Sequence, residues 1–287
     1  GTVFATDSKK ETESRRIRKR KDCELNMIRK VKLCTNHSKH SEQIKDLLKQ
    51  KLLENGFTVS DTDFELAIAI GGDGSFLHMV KDLDFSLDKS YIGIHTGTLG
   101  FLQNVNESEL DDFLQYLKND CLVYNEADIQ LTIVETLQGT KTFLSMNEVV
   151  IRKEDLKTMY MDIYVNDDLL EHFAGDGILV STSIGSTAYN MSFRGSIVDP
   201  DLKTMQITAI APLNNKHYEN LMSSVIIPDY KVIRMEIPAK NVLLTVDGEN
   251  NVVKDVTSVT VEILPRRLQC LRFRNQPFTK KITDKLL

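Results

Sequence analysis

No stretch of this 287-residue chain approaches the roughly 20 consecutive apolar residues that span a bilayer. Its first residues lack a signal-peptide pattern, so neither a membrane span nor secretion is expected. Cysteine is scarce. Cys23, Cys34, Cys121 and Cys270 form no CxxC pair and have no histidine at ligand spacing, which argues against structural zinc and for free thiols in a reducing cytoplasm. His37, His40, His78, His172 and His217 show no pairing that suggests a metal. Internal repeats are absent, and low complexity is confined to one basic run. What remains is an ordinary globular composition, 41% apolar and 27% charged, with enough chain for two modest domains.

The net charge of −5 is unevenly spread. Residues 1–30 hold ten Lys/Arg against five Asp/Glu, a surplus of +5, which leaves −10 on the rest. Arg15, Arg16, Arg18, Lys19, Arg20 and Lys21 form the dense part of this tail. Such a run can contact nucleic-acid or membrane phosphates, but it has no interleaved aromatics and no apolar stripe. It reads as a solvated, flexible extension, and the acidic body argues against nucleic-acid binding as the main task.

Strand and helix patterns alternate as far as residue 125. Val31 and Leu33 mark a short strand, and Ile44, Leu47, Leu48 and Leu52 follow the 3.6-residue period of an amphipathic helix that Gly56 stops. Residues 65–70 (ELAIAI) and 91–95 (YIGIH) are continuous apolar runs, as expected of strands buried on both faces. Leu110, Phe113, Leu114 and Leu117 line one face of a further helix. This alternation predicts an α/β domain with a parallel sheet over 31–125, to which the terminal 262–287 segment returns. From 126 to 261 the runs are short, β-branched and separated by turn residues, including hairpins at Gln138-Gly139 and Asn166-Asp167-Asp168. This part reads as a predominantly β domain of two packed sheet layers.

Four segments carry chemistry. In 67–80 (AIAIGGDGSFLHMV) a buried strand ends in Gly71-Gly72-Asp73-Gly74, with a helix expected to begin near Ser75. The glycines allow amides to approach phosphate oxygens closely, and a new helix adds unpaired N–H groups. A carboxylate in such a loop would repel phosphate unless it binds a metal or takes a proton from a nucleophile beside it. The same residues also suit a plain strand-to-helix turn. They match neither a Walker loop nor GxGxxG.

In 174–192 (AGDGILVSTSIGSTAYNMS) Asp176 lies between glycines, and a Gly185-Ser186-Thr187-Ala188-Tyr189 turn suits a nucleoside, or a packed polar loop. Asn147-Glu148 precede an apolar strand; the amide can meet an adenine edge and the carboxylate a ribose, although a solvent-facing strand entry would look alike. Asp247-Gly248, read alone, is a hairpin turn.

Taken together and in this order, the GGDG loop, the Asn-Glu pair, the glycine-rich segment ending at Tyr189 and the late Asp-Gly resemble the ATP-NAD kinase family over about residues 31–275. Residues 93–102 (GIHTGTLGFL) look like that family's second nucleotide-side loop. The resemblance implies phosphoryl transfer from ATP to the 2′-hydroxyl of the adenosine ribose of NAD, with Asp73 as general base. It implies that Gly71, Gly72, Gly74 and Ser75 face the donor, and that Asn147, Thr187, Ala188 and Ser192 hold adenine with Tyr189 lining the pocket. Glu148 would then sit near a ribose, Asp176 near the second nucleoside, Asp247 on the NAD side, and Leu99 and Phe101 along the cleft wall. It further implies a cytoplasmic homo-oligomer, commonly a tetramer, with Mg²⁺ carried by ATP, or a polyphosphate in place of ATP, and no protein-held metal.

Three positions depart from the family pattern: Ser75 stands for Thr, Ser183-Ile184 follow Thr182 where Pro is usual, and Arg194-Gly195 replace Gly-Gly. His95, just before the 96–101 loop, suits either a role near the nucleotide or local packing. Two other readings use the same residues. A diacylglycerol-type lipid kinase shares the GGDG loop but expects a Gly-Thr-Gly-Asn segment that this chain lacks, and a non-catalytic NAD(P)-binding sensor would keep the cleft without the chemistry.

Overall fold

The computed structural model describes residues 28–97, 100–155, 157–216, 218–273 and 277–287. Most of the basic tail, with Cys23, and also Leu99 and His217 lie outside the described residues. The chain runs β1 (Lys30–Thr35), α1 (Lys39–Glu54), β2 (Thr58–Val59), β3 (Leu66–Gly71), α2 (Asp73–Asp82), β4 (Ser90–His95), β5 (Val105–Asn106), α3 (Leu110–Lys118) and β6 (Val123–Ala127). These strands form one sheet in the order β2-β1-β3-β4-β19-β6, in which β5 also pairs with β4 and β19 (Leu268–Arg272) enters from the far end of the chain. All its pairings are parallel except β19 with β6.

Every residue of β3 and β4 is buried because the sheet is covered on both sides. Ile68, Ile70, Ile92 and Ile94 point to α1 and α3, where Leu48, Leu52, Phe113, Leu114 and Leu117 meet them. The opposite face carries the small residues Ala67 and Ala69 beside Tyr91, and there α2 packs through Phe76, Met79 and Val80. Met146 from the second domain, with Leu144 and Ile184, joins that same cluster, so the second domain and α2 share one face of the sheet. The helix α2 begins at Asp73, two residues before the expected start, with Gly72 as its N-cap and Ser75 buried inside its first turn.

The second domain contains β7 (Gln130–Thr136), β8 (Gly139–Ser145), β9 (Glu148–Lys153), β10 (Met159–Val165), β11 (Asp168–Gly175), β12 (Gly177–Thr182), the short helix α4 (Tyr189–Ser192), β13 (Thr204–Ile210), the small pair β14 (Asn214–Asn215) and β15 (Tyr218–Glu219), β16 (Val225–Pro228), β17 (Ile233–Val246) and β18 (Glu249–Ile263). Its two layers are hydrogen-bonded into one antiparallel ten-stranded sheet. The long strands make the connection: β17 pairs with β10 over 233–236 and with β9 over 242–246. Between these stretches the register shifts, and the inward set changes phase from Ile233, Met235 and Ile237 to Val242, Leu244 and Val246. A strand that bulges and changes face passes from one layer to the next, so both layers enclose a single core of Ile, Val, Met and Phe173.

The helix α5 (Phe278–Leu286) follows β19 and returns the chain to the C-terminal ends of the parallel strands. The two crossings between domains are pinned together: Arg267 is bound to the buried Asp128 and also to Asp229, at 2.5 Å. Among the described residues no helix is long and apolar enough to cross a membrane.

Candidate functional site

Asp73 stands where β3 turns into α2, at the carboxyl ends of the parallel strands, where open α/β sheets bind ligands. Its Oδ2 accepts the Phe101 N–H at 2.7 Å and its Oδ1 the Leu102 N–H at 3.0 Å. These contacts need Gly100, since a Cβ there would lie 1.8 Å from Oδ1. Gln103, fully buried, donates from Nε2 to the Gly72 carbonyl at 2.6 Å and so ties the same loop to the GGDG turn. Asp73 itself remains 33% exposed, so the carboxylate is held yet reachable. Gly71 ends β3 with φ 149°, Gly72 caps α2, and Gly74 lies in its first turn. Unpaired N–H groups of a helix start are therefore presented beside Asp73.

A second group forms around the Asn147 turn. Asp247 sits at the β17–β18 hairpin, and its carboxylate accepts the backbone N–H groups of Met146 (2.7 Å), Asn147 (2.8 Å) and Glu148 (3.1 Å). Both of its oxygens are committed to holding this turn, which makes it a brace for the site. Gly185 approaches the Asn147 carbonyl so closely that a Cβ would lie 2.0 Å from it, bringing the 184–187 turn onto the Asn-Glu segment. The Asn147 side chain is buried, and among the described residues its amide has no hydrogen-bond partner. That leaves donor and acceptor edges for a ligand.

Glu148 is 5% exposed, and burial, with the Asp247 carboxylate beside it, pushes its carboxyl up to about 8 against the opposing hydrogen bond from the Tyr189 backbone. Its Oε2 has no partner among the described residues. Tyr189 stacks edge-on against Phe193 at 4.8 Å, and the Arg152 guanidinium lies over both rings. Thr187 and Ala188 are half-buried beside it, and Ser192 is exposed on α4. Asp176 is exposed in the turn between β11 and β12. Its backbone N–H bonds the Ile210 carbonyl at 2.9 Å, and among the described residues no hydrogen bond or ion pair joins Asp176 to the Asp73 or Asn147 groups. His95 is buried and donates from Nδ1 to the Gly97 carbonyl at 3.1 Å, a local role. Arg194 adopts φ 60°. In this left-handed region glycine is favoured, which is a physical reason for the glycine usual at that place in the family pattern.

The Asp73 and Asn147 groups flank one space. A cavity of about 390 Å³ is lined by Phe101 and Leu102 from the loop on Asp73, by Met146 and Thr187 from the second domain, and by Arg272 and Phe278 from the chain end. Lys81 of α2 is ion-paired with Glu249, two residues from Asp247, joining the two domains a second time.

Three basic groups near this space escaped the motif reading. Lys281 donates to the Phe101 carbonyl (3.1 Å) and to Asn104 Oδ1 (2.9 Å), with the Gln103 carbonyl at 3.5 Å. Burial, helped by Arg272, lowers its pKa to about 8 although Asp73 opposes this. Lys285 lies 4.0 Å from Asp73 Oδ2 and 3.9 Å from the centroid of the Phe101 ring. The sequence does hold a signal for the two lysines: Phe278, Lys281 and Lys285 recur at i, i+3 and i+7, one face of a helix.

A model of the ATP-NAD kinase C-terminal domain matches residues 146–267. The chain is 32% identical to the NAD kinase of Latilactobacillus sakei over 89% of its own length and 96% of that protein. It is 37% identical to an NAD kinase of Streptococcus pneumoniae, over 79% of this chain and 84% of that one.

The chain belongs to the NAD kinase family.

The crystal structure of yeast NADH kinase complexed with NADH has the same fold, with a TM-score of 0.81 over 91% of this chain and 88% of that one, at 19% identity. The NAD kinase family match begins at Met146 and ends at Arg267, so it takes in the Asn147 turn, the Tyr189 turn and Asp247. The GGDG loop lies outside that matched span and within the longer alignments to the bacterial NAD kinases, which cover most of the chain.

Proposed function

We propose that this protein transfers the γ-phosphoryl group of ATP to the 2′-hydroxyl of the adenosine ribose of NAD, forming NADP, with Asp73 as general base. The observation that carries this reading is the Asp73 carboxylate, fixed by two backbone N–H groups yet one-third exposed, beside the cavity shared by both domains. A sugar hydroxyl is a weak nucleophile at neutral pH, and a positioned base is worth about 10²–10⁴ in rate. The weak basicity of an aspartate suffices where the phosphoryl transition state is loose and the proton leaves late. Two of the carboxylate's lone-pair directions are occupied by the Phe101 and Leu102 amides, so the oxygens are aimed before substrate arrives.

On the acceptor side, Asn147 has a free buried amide for the adenine edge, with Thr187, Ala188, Tyr189 and Ser192 around it. A Glu148 carboxyl that keeps its proton near neutral pH can donate to a ribose or amide oxygen, a bond a carboxylate cannot make. Phe101 walls the dinucleotide cleft, and Asp176 is assigned to the second nucleoside half by the resemblance alone. Mg²⁺ enters with ATP as part of the donor substrate and neutralises triphosphate charge. The protein works in the cytoplasm, a setting that suits the unpaired Cys34, Cys121 and Cys270. It assembles as a homo-oligomer, a tetramer, supported by exposed apolar side chains at the sheet edges, among them Tyr160 and Leu169 on the β10–β11 hairpin and Ile226 on β16.

Purified protein incubated with NAD, ATP and Mg²⁺ is expected to form NADP, detected with an NADP-specific dehydrogenase. Binding of NAD with no NADP from ATP or polyphosphate would instead favour the non-catalytic sensor.

A further inference from the structure

The Asp73 carboxylate is aimed by the N–H groups of Phe101 and Leu102, and the peptide unit joining those two residues is held from both ends. In a trans peptide the N–H and the C=O point in opposite directions from one rigid plane. The Leu102 N–H of this unit donates to Asp73 Oδ1 at 3.0 Å, while its carbonyl, that of Phe101, accepts from Lys281 Nζ at 3.1 Å. Lys281 therefore fixes the far end of the same plane that touches the carboxylate.

Its remaining donors act on the rest of the loop. Nζ reaches Asn104 Oδ1 at 2.9 Å and faces the Gln103 carbonyl at 3.5 Å. The Asn104 side chain, oriented in this way, donates from Nδ2 to the Leu102 carbonyl at 3.1 Å. The Asn104 N–H donates to the Gly93 carbonyl of β4 at 3.0 Å, which anchors the loop to the sheet. Three oxygens converging on one point repel one another, and a single ammonium with three donors offsets that repulsion. Burial, with Arg272 and Lys285 adding to it and Asp73 opposing, brings the Lys281 pKa down to about 8, so the charged form still prevails at neutral pH. The same helix lays Lys285 over the Phe101 ring and sets the Phe278 ring 6.3 Å from it. No residue of α5 is buried, so the helix adds little to the core; what it grips is the loop on Asp73.

We propose that Lys281 is a positioning residue for phosphoryl transfer, holding the Phe101–Leu102 peptide so that Asp73 stays aimed at the acceptor hydroxyl. This rests on the kinase reading above and adds to it a role for α5. Lys281 acts through the loop and needs no contact with either substrate.

The test uses the whole chain with Lys281→Met, which keeps bulk and removes the donors, and Lys281→Arg, which keeps donors and charge. Amide hydrogen exchange, followed by NMR without substrates, reads the hold at Leu102 directly. In Lys281→Met the Leu102 amide is expected to exchange about tenfold faster or more, the scale of one charge-assisted hydrogen bond, while Ile68 and Ile70 in β3 keep their protection. Steady-state kinetics should show kcat for NADP formation reduced about tenfold or more, with a smaller change in KM for NAD or ATP, the pattern of an interaction that counts mainly in the transition state. Lys281→Arg should recover the Leu102 protection and most of kcat. Unchanged exchange at Leu102 in Lys281→Met would overturn the proposal whatever happens to turnover. Faster exchange with wild-type kcat would overturn it as well, as would a loss confined to KM or equal losses in the Met and Arg variants. If the wild-type protein forms no NADP, the kinase reading fails, while the exchange comparison still decides whether Lys281 holds the loop.

Discussion

Glu148 shows how one residue serves both folding and function. It is buried beside Asp247, and its carboxyl titrates near 8, whereas an unfolded chain would release that proton near 4.5. Between those values the folded state holds more protons than the unfolded state, so stability falls as pH rises through this window. The contribution is fully present below the unfolded pKa and is lost once pH passes the folded one. Asp247 is shifted in the same direction, by burial first, against the three backbone N–H groups that it holds. Glu148→Gln keeps the shape and cannot ionise. Denaturant melts of the two proteins from pH 5 to pH 8 should show the wild type losing about 3–5 kcal/mol relative to the variant. Parallel curves would mean that Glu148 is ionised throughout in the folded protein.

At the scale of elements, the site depends on a loop pressed between two helices. Residues 100–104 give their amides to Asp73 at the head of α2 and their carbonyls to Lys281 of α5. Gly100→Ala would force the loop away from the carboxylate, since the added carbon has no room. A misplacement of about 1 Å costs on the order of 10²-fold in rate. The expected outcome is a fall of that size in kcat with an unchanged circular dichroism spectrum, and wild-type turnover would show that the two amides do not position Asp73.

Legibility followed the locality of each feature. The GGDG loop, the Asn147-Glu148 pair and the 185–189 turn were readable because each is short and consists of residues with special backbone or hydrogen-bonding properties. The alternating strands and helices were readable for the same local reason, through period and burial. The brace role of Asp247 was not, because it depends on three amides about a hundred residues away. The chain-end lysines Lys281 and Lys285 were also missed, since a lysine on a helix face is usually solvated and only the insertion of β19 into the first sheet brings α5 to Asp73. The two layers of the second domain were expected as packed sheets. Their union through β17 and β18 rests on bulges that shift the inward phase, which no short pattern reveals.

At the scale of the molecule, the two domains share one apolar face and are tied at separate points. Met146 and Ile184 pack with Phe76 of α2, Lys81 meets Glu249, and Arg267 joins the buried Asp128 to Asp229. These ties hold the Asp73 loop of one domain and the Asn147 turn of the other on either side of a single cavity. On this reading Asp73 supplies chemistry across that space and is not merely a helix-start residue. The most direct measurement compares Asp73→Asn with wild type for both NADP formation and NAD affinity. The variant is expected to lose at least about 10²-fold in turnover, the minimum worth of a positioned base, with the fold and most NAD binding retained. Turnover equal to wild type in the folded variant would remove Asp73 from the chemistry.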